Sequence, residues 1–543
     1  MAFYGLPLKI PNRSLTSVLI LEPVLGIDTS QPSVDAPLGS TPDSQNYIMR
    51  EGALQPRPML SLRQTNPQPM GNIPILGGIE AISVTGERYP VVSGTTRWAW
   101  YSNTSWSALS YVVAGDPDLN DPPSGTNTDY WDFTQIYYAE KDENLAIGAS
   151  GSYQSLYCWQ SNTTVFSSLT GAPRATTVAA FDNFILAANI RSGSSDYVQR
   201  VQWSDRGSAS SWTQGLAGFE DLLQMRGDIT RLLPLENRLV VLGENETWQG
   251  YRSDFPNLFV FQPIDTAIGC PYPWTATNTP RGVIFLGRDY YVYLLPKEGG
   301  QPVSVGQRLH RSIRNLIDRP ERAWGAWDHT TDVYQLNYAI KGGSGRPQRA
   351  AWLNMESGAW APQSYDVVSG GLSLTRGFEV QLSSSATTWG GLQAAGITWA
   401  SLNMTWADLA GASEERAVLV GSSAGTLYHF NSNATSDNGT PVRSYWQSSS
   451  LAGDSPSVTK TMTRLYIDYQ ADSSSSLTVS VSQNQGASFD AGQRIALPTS
   501  SGVSQAHADT YTPSRYPTFK IESEGFRYRI YRFLAELRYG GRH

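Results

Sequence analysis

Short aliphatic runs that end on a glycine recur five times along the 543-residue chain. After each run, aromatic residues return at short spacing, as in Val91–Gly94 before Trp98 and Trp100. The five glycines are Gly94, Gly148, Gly243, Gly287 and Gly421. Their intervals of 54, 95, 44 and 134 residues are close to one, two, one and three units of roughly 45–50 residues. A strand, a turn and a second strand with aromatics, repeated at this length, predicts propeller blades.

Period-two segments separated by turn residues fill residues 71–440, where we predict a β-propeller-like domain of about six to eight blade-like units. One segment has helical spacing and predicts an inserted helix over residues 309–317, with Pro320 at its end. Its apolar positions are Leu309, Ile313, Leu316 and Ile317. Basic residues mark its other face: Arg308, Arg311, Arg314 and Arg319. That face is either solvated or a basic interface for an acidic neighbour.

The flanks of the repeat differ in pattern. Residues 1–70 contain many prolines and little periodicity, and we predict an extended N-terminal arm that packs on something else. Residues 441–543 alternate strictly between apolar and polar positions, which predicts a small antiparallel β-sandwich. Within them, Ser482–Phe489 resembles the Asp-box hairpin, with asparagine in the aspartate position. We expect both flanks to mediate subunit or partner contacts.

Composition agrees with an all-β chain that is rich in turns. Charged residues are only 16%, against about 25% in average proteins, and there are 49 glycines and 32 prolines. The net charge of −7 and the lack of any run of like charges argue against a nucleic-acid clamp or a polybasic membrane anchor. Residues 514–543 hold seven basic residues against three glutamates, a local charge of +4. This suits exposed edge strands, or a docking surface for an acidic partner or DNA.

Segments for secretion or membrane insertion are not expected. The apolar stretch Ser17–Leu21 is too short for a signal peptide or a membrane span. We therefore expect a protein that is made and used without secretion through a membrane.

Residues with catalytic potential form few recognisable patterns. The five histidines form no metal-binding pair, and no nucleophile elbow, Walker A loop or dinucleotide fingerprint occurs. We predict no catalytic, cofactor-binding or metal site, and no enzyme. Cys158 and Cys270 could form one bridge, but two unpaired core thiols are the simpler interpretation.

An alternative function is a glycan-binding or glycoside-cleaving propeller of the sialidase type. A glycosidase needs two carboxylates across the sugar, and four could converge in a propeller channel. These are Asp205, Glu244, Asp289 and Asp328. Close tryptophan pairs could stack on sugars, although core aromatics are the simpler interpretation. The pairs are Trp98/Trp106, Trp203/Trp212, Trp352/Trp360 and Trp399/Trp406.

Three parts of the chain carry a family resemblance. The first comprises Gly26–Thr29, Ala36–Gly39 and Gln45–Pro58. The second comprises Arg200–Asp205, Trp212, Gly227–Ile229, Leu239–Gly243 and Ile268–Cys270, and the third is the ending Leu537–Arg542. In order and spacing they resemble the tail-nozzle, or packaged-DNA stabilisation, proteins of short-tailed bacteriophages.

The resemblance implies a structural virion protein without enzymatic activity. Such nozzles are hexameric rings built on β-propellers, below the portal and its adaptor, with a tail fibre, tailspike or tail-tip needle as further neighbours. They continue the DNA channel, help to retain the packaged genome and conduct DNA during ejection, without sequence-specific binding. Six chains at −7 each would carry −42, and like charge along a lumen disfavours sticking of the DNA backbone. Assembly would take place in the host cytoplasm. Another virion component, such as a tail hub or tailspike-associated module, is a second interpretation.

Overall fold

The computed structural model describes residues 16–63, 70–102, 105–112, 122–161, 163–254, 257–365, 374–383, 414–452 and 457–540. They belong to two compact units. The propeller unit spans residues 58–358 and 363–440, and the terminal unit combines residues 1–57, 359–362 and 441–543. Both units are built almost entirely from β-strands.

Seven short strands precede the first blade. They are β1 Thr16–Leu21, β2 Gly26–Ile27, β3 Ser40–Thr41, β4 Ser44–Gln45, β5 Tyr47–Arg50, β6 Ala53–Pro56 and β7 Met59–Leu62. Only β7 belongs to the propeller unit.

The described residues of the propeller unit form seven blades, within the predicted range of six to eight. Blade 1 is β8 Gly77–Ile82, β9 Arg88–Ser93, β10 Trp98–Tyr101 and β11 Trp106–Val112; blade 2 is β12 Trp131–Tyr138, β13 Glu143–Ser150, β14 Tyr157–Gln160 and β15 Val165–Ser168. Blade 3 is β16 Arg174–Phe181, β17 Phe184–Ser192, β18 Ser195–Trp203 and β19 Gly218–Asp221; blade 4 is β20 Ile229–Leu235, β21 Arg238–Gly243, β22 Thr247–Arg252 and β23 Phe259–Asp265. Blade 5 is β24 Thr277–Thr279, β25 Gly282–Leu286, β26 Val292–Pro296 and β27 Val303–Ser304.

The last two blades depart from four consecutive strands. In blade 6 the first-strand position is shared by β28 Ile317–Asp318 and β29 Trp324–Asp328, which both pair with the second strand, β30 Val333–Ile340; β31 Arg349–Asn354 and β32 Trp360–Ser364 follow. Blade 7 is β33 Leu374–Ser383, β34 Glu414–Ser422 and β35 Leu427–Asn431, completed by β7 from the N-terminal part of the chain. In that pairing Leu60 lies opposite Phe430. The first strands of adjacent blades contact one another around a closed ring, since β33 of blade 7 contacts β8 of blade 1.

A helix joins blades 5 and 6. This helix, α1 His310–Leu316, confirms the helix predicted over residues 309–317. Leu309, Ile313 and Ile317 are buried beneath it, whereas Arg311 and Arg314 are exposed.

Blades 1 and 2 are joined into one eight-stranded sheet. Their outermost strands pair in parallel, with Tyr111 of β11 opposite Phe166 of β15. Aromatic side chains fill the interior: the ring of Trp98 stacks on Phe166 at 5.0 Å and meets Trp131 edge-on at 5.5 Å. Because the two outer edges pair with each other, neither offers a free edge along the paired residues.

The glycine pattern marks the second strand of five blades, and its aromatics lie on or beside the third strand. Gly148 of β13 lies opposite Tyr157 of β14, and a Cβ there would come within 2.7 Å of the Trp98 ring. At Gly421, a Cβ would come within 2.6 Å of Ile75. None of the five glycines has a positive φ. They therefore provide room for a neighbouring side chain, not a special backbone conformation.

The interval between the last two glycines was wrongly predicted to span three units. Gly287 belongs to blade 5 and Gly421 to blade 7, so their 134 residues span two units and not three. Blades 3 and 6 lack the glycine, and blade 3 has Ala187 and Ala188 in its second strand.

The C-terminal strands of the chain follow the last blade. They are β36 Ser436–Asp437, β37 Thr440–Pro441, β38 Arg443–Gln447, β39 Lys460–Gln470, β40 Ser475–Ser482, β41 Gln493–Leu497, β42 Ser504–Ser514, β43 Thr518–Glu524 and β44 Arg529–Tyr539.

The terminal unit is a sandwich of two sheets. One sheet has the order β42-β39-β44-β6-β5, with β1 on β44, and the other has the order β4-β38-β43-β40-β41. Trp446 of the second sheet stacks on Phe533 of the first, with ring centroids 5.3 Å apart. Both rings are completely buried, so aromatic packing between the sheets forms this core.

The predicted extended arm is corrected for the described residues of the 1–70 range. Strand β1 pairs with β44 from Thr16 opposite Arg538 to Leu21 opposite Phe533, and β4 pairs with β38. Residues 16–57 thus belong to the same unit as residues 441–540, and β7 belongs to blade 7. Residues 1–15 and 64–69 of the predicted arm lie outside the described residues.

The Asp-box-like hairpin has the turn expected from its sequence. The Asn484 side-chain oxygen accepts a hydrogen bond from the backbone N–H of Ser488 at 2.9 Å. The Ser482 hydroxyl accepts from the backbone N–H of Gly486, also at 2.9 Å. Two side chains therefore satisfy backbone donors in the turn, which is a structural role.

Candidate functional site

Polar and aromatic side chains converge where the first strands of several blades begin. We call Tyr130, Asp132, Arg231, Trp274 and Arg376 the channel-end cluster. They lie at or just before the first strands of blades 2, 4, 5 and 7. Those strands surround the propeller axis, so their starting ends face one another although they are far apart in sequence.

Asp132 and Arg231 form the paired part of the cluster. An Asp132 carboxylate oxygen lies 3.2 Å from Nη2 of Arg231, and the second oxygen accepts from the Thr177 hydroxyl at 2.6 Å. Arg231 Nη1 donates to the Pro273 carbonyl at 3.1 Å and also to the Ala276 carbonyl. The aspartate is buried, so its charge is balanced by Arg231.

Arg376 is the unpaired part. Its side chain is 9% exposed, and its guanidinium carbon lies 4.3 Å from the centre of the Trp274 ring and 5.9 Å from that of Tyr130. Nη1 of Arg376 has no hydrogen-bond partner among the described residues. Burial, together with the charge of Arg231, lowers the pKa of Arg376 to about 9, so it remains positively charged at neutral pH.

Tyr130 completes the cluster as a neutral phenol. Burial raises its pKa to about 12, and its hydroxyl donates to the Arg322 carbonyl at 3.4 Å. The cluster therefore contains two guanidinium groups, one carboxylate that is already paired with Arg231, and a protonated tyrosine. Such a group suits anion binding, whereas acid–base cleavage of a glycoside needs a second carboxylate.

The four carboxylates considered from sequence do not converge. Glu244 and Asp289 lie beside a shared surface pocket in turns between second and third strands, where Arg288 Nη2 is 3.7 Å from Glu244. Asp205 follows a third strand, and Asp328 is at the end of a first strand. Because consecutive strands in a blade are antiparallel, these last two positions are at the opposite end of the blades.

The second pair of carboxylates serves local turns. Asp205 accepts from the backbone N–H of Leu216 at 2.9 Å. Asp328 accepts from the backbone N–H of Thr330 at 3.0 Å and from the Thr331 hydroxyl at 2.8 Å. Both act as turn caps, as acidic residues often do between strands.

The tryptophan pairs belong to the core wherever the structure describes them. Six of the eight are buried: Trp98, Trp106, Trp203, Trp212, Trp352 and Trp360. The other two, Trp399 and Trp406, lie outside the described residues. Buried rings cannot act as sugar-stacking platforms, which confirms the core interpretation for these six.

The two cysteines are free thiols. Cys158 lies in blade 2 and Cys270 is buried before blade 5. Burial raises the pKa of both thiols, that of Cys270 to about 12. Both therefore stay protonated, and the prediction of unpaired thiols is confirmed, with Cys270 in the core and Cys158 partly buried.

Basic residues near the C-terminus have acidic partners within the terminal unit. Lys520 lies 3.6 Å from Glu522 and Arg529 lies 3.7 Å from Glu51. Arg532 pairs with Asp468. Glu51 and Asp468 lie outside residues 514–543, so their pairs with Arg529 and Arg532 offset part of the local charge of +4 that the sequence indicated.

Membrane-spanning helices and metal-binding groups are both absent from the described ranges. No helix there is long and apolar enough to cross a membrane. Nor does that part of the chain contain a group of three or more His, Cys, Asp or Glu side chains arranged to hold a metal ion.

Comparisons with known proteins show likeness in fold only. No protein-family model and no curated protein sequence matches the chain. Among solved structures, an exo-β-1,3-galactanase from Phanerochaete chrysosporium, solved with β-1,3-galactotriose, is 11% identical over 85% of this chain and all of that one, with a TM-score of 0.27. BamB from Moraxella catarrhalis is 9% identical over 68% of this chain and 97% of that one, with a TM-score of 0.34. PorZ from Porphyromonas gingivalis is 9% identical over 73% of this chain and 43% of that one, with a TM-score of 0.33.

Proposed function

We propose that this chain is a structural virion protein, a subunit of a ring-shaped tail nozzle in a short-tailed bacteriophage. The proposal rests first on the three segments that resemble such proteins in order and spacing. The described parts of the first and last of these, within residues 26–57 and 537–540, lie far apart in sequence but belong to one unit. A ring below the portal adaptor, with a fibre, tailspike or needle as a further neighbour, is part of the same proposal.

Apolar side chains on the outer strands of blades 3, 4 and 5 are the structural observation that supports a ring. Phe219 on β19 is 56% exposed, Val260 on β23 is 44% exposed and Val303 on β27 is 57% exposed. Leu223, just after β19, is 79% exposed. Each of these strands is the last in its sheet, so an apolar edge remains for a second copy to cover.

In this proposal, DNA passes through the lumen of the ring and not through the channel of one propeller. Buried side chains of the channel-end cluster, among them Tyr130, Asp132 and Trp274, lie at one end of the propeller's first strands. The net charge of −7 per chain makes a shared lumen repulsive to phosphates on average, which favours sliding over binding. Retention of the genome then requires a narrowing or a plug, to which no residue is assigned.

The test is native mass spectrometry of the full chain over rising concentration. We expect a species of about six times the 59.5 kDa subunit. The double variant Phe219→Ser and Leu223→Ser should shift the population to monomers because it removes the apolar edge of blade 3. Val503→Ser changes a residue that is 63% exposed in the terminal unit and should leave the hexamer unchanged. Equal losses in both variants would contradict the assigned interface.

A glycan-binding or glycoside-cleaving propeller is the second candidate, supported by the channel-end cluster. Its two arginines, Tyr130 and Asp132 are residue types that can contact an acidic sugar. Fluorogenic glycosides of neutral and acidic sugars test it directly. The nozzle proposal expects no hydrolysis, and turnover that Asp132→Asn abolishes would replace it with the enzymatic function.

A further inference from the structure

The channel-end cluster contains more buried positive charge than negative charge. It has two guanidinium groups, those of Arg231 and Arg376, and Asp132 is the carboxylate that acts on Arg376. A buried charge without a partner is costly, because the protein interior solvates it poorly. A balancing anion would remove this cost.

Asp132 cannot serve both arginines. One carboxylate oxygen faces Arg231 at 3.2 Å, and the other accepts from the Thr177 hydroxyl at 2.6 Å and from the backbone N–H of Val178 at 3.4 Å. Arg231 is in turn held by the carbonyls of Pro273 and Ala276. Asp132 and Arg231 are thus held by each other and by these neighbours, next to Arg376.

Arg376 packs on an aromatic ring and has a donor that the described residues leave unbonded. Its guanidinium lies against the face of the Trp274 ring, 4.3 Å from the ring centre. Such a contact stabilises the cation through the ring face but provides no hydrogen-bond acceptor. Nη1 therefore keeps a donor that nothing in the described part of the chain accepts.

We propose that Arg376 binds a small oxyanion, a carboxylate or phosphate group, at the channel end beside Trp274 and Tyr130. The planar guanidinium fork matches two oxygens of either group, and charge-assisted hydrogen bonds of this kind are strong in a poorly solvated site. The oxyanion is either a free ion or the acidic group of a larger ligand. This inference does not depend on the proposed virion function, since it concerns one chain alone.

The experiment measures thermal unfolding of the full chain in chloride, phosphate and acetate at equal ionic strength. Millimolar phosphate or acetate should raise the Tm of the wild-type chain by a few degrees relative to chloride. Arg376→Met removes the guanidinium but keeps an apolar stem, so its Tm in chloride should equal or exceed that of the wild type and should not respond to the oxyanion. Arg191→Met removes an exposed arginine paired with Asp196 and should keep the wild-type response.

Equilibrium dialysis of the wild-type chain with labelled phosphate gives a second readout that does not rely on a variant. We expect one phosphate per chain, displaced by acetate. Glucuronate that competes at least tenfold better than acetate would identify the acidic group of a larger ligand, and equal competition would identify a free ion. No bound phosphate, or equal Tm responses of the wild type and Arg376→Met, would overturn the proposal.

Discussion

The propeller unit and the terminal unit differ in how far apart in sequence their paired strands lie. Blades 1 to 5 are each built from four consecutive strands, so most pairing is between neighbours in sequence. In the terminal unit, β1 pairs with β44, and the Ser17 hydroxyl bonds Tyr539 across 522 positions. Among the described strands of the propeller unit, β7 is the one that joins its blade from a distant part of the sequence, completing blade 7. The terminal unit therefore needs strands from both ends of the chain, whereas blade 7 needs only β7 from outside its own stretch of sequence.

The largest effect is expected from truncating the aromatic core of either unit. Trp98→Ala empties the interior shared by blades 1 and 2, and Trp446→Ala empties the space between the two sheets of the terminal unit. Each should lower the free energy of unfolding by about 3–5 kcal/mol. Guanidinium unfolding measures this, and Tyr511→Ala, at a residue that is 75% exposed, is the control. A loss below about 1 kcal/mol at either tryptophan would show that the unit does not depend on that core.

The second-largest effect is expected from Leu60→Pro, because Leu60 lies in β7, the strand that completes blade 7. The Leu60 N–H donates to an Asp437 carboxylate oxygen at 2.7 Å, and the side chain is buried. Proline removes that donor, at a cost of about 3 kcal/mol. Leu60→Ile keeps the donor and should cost less than about 1.5 kcal/mol when both variants are measured by guanidinium unfolding. Similar values for the two variants would show that closure does not depend on this backbone contact.

A moderate effect is expected where a glycine makes room for an aromatic ring. Gly148→Ala would bring a methyl group within 2.7 Å of Trp98, so we expect a loss of about 1–3 kcal/mol. Gly502→Ala, where a Cβ would meet nothing within 4 Å, is the matched control and should stay within about 0.5 kcal/mol of wild type. Equal stabilities in thermal unfolding would disprove the packing role of the repeated glycine.

The smallest effect depends on pH. Burial raises the pKa of Glu379 to about 7 in the folded protein, and Nδ1 of His329 lies 2.5 Å from its carboxylate. An acid with a raised folded pKa stabilises the fold below its ordinary pKa of about 4.5, and that contribution disappears as pH rises to about 7. Glu379→Gln should therefore be about 1 kcal/mol more stable than wild type at pH 8 and equal to it at pH 4, allowing for partial exposure of the side chain. His329 has the opposite sign because its pKa is lowered, so the comparison is repeated in a His329→Asn background. A difference that does not change with pH would refute the assignment.

These two kinds of construction explain what could be predicted from the sequence. The spacing of the glycines and aromatics predicted the blades because each blade lies within one stretch of chain. The glycine pattern itself does not mark blade 3, where Ala187 and Ala188 replace the glycine, or blade 6, whose second strand carries buried Gln335 and Asn337; units there were indicated only by the longer intervals. The helix was predicted because Leu309, Ile313 and Ile317 give a local periodic signal.

The long-range features could not be predicted in the same way. Strands β2 to β4 have two residues each, too few for a periodic pattern, and Asn46 bonds the Arg443 carbonyl across 397 positions. The channel-end cluster was also missed, since Asp132 and Arg231 are 99 positions apart. A usable signal was the position of a charged residue at the start of a blade's first strand, where apolar residues are expected.

Negative-stain electron microscopy of the purified full chain at micromolar concentration tests the central claim most directly. The account predicts class averages of a closed ring with six-fold symmetry and an open lumen, with one propeller in each subunit. Single propellers at every concentration, in a preparation that also hydrolyses a glycoside, would contradict it.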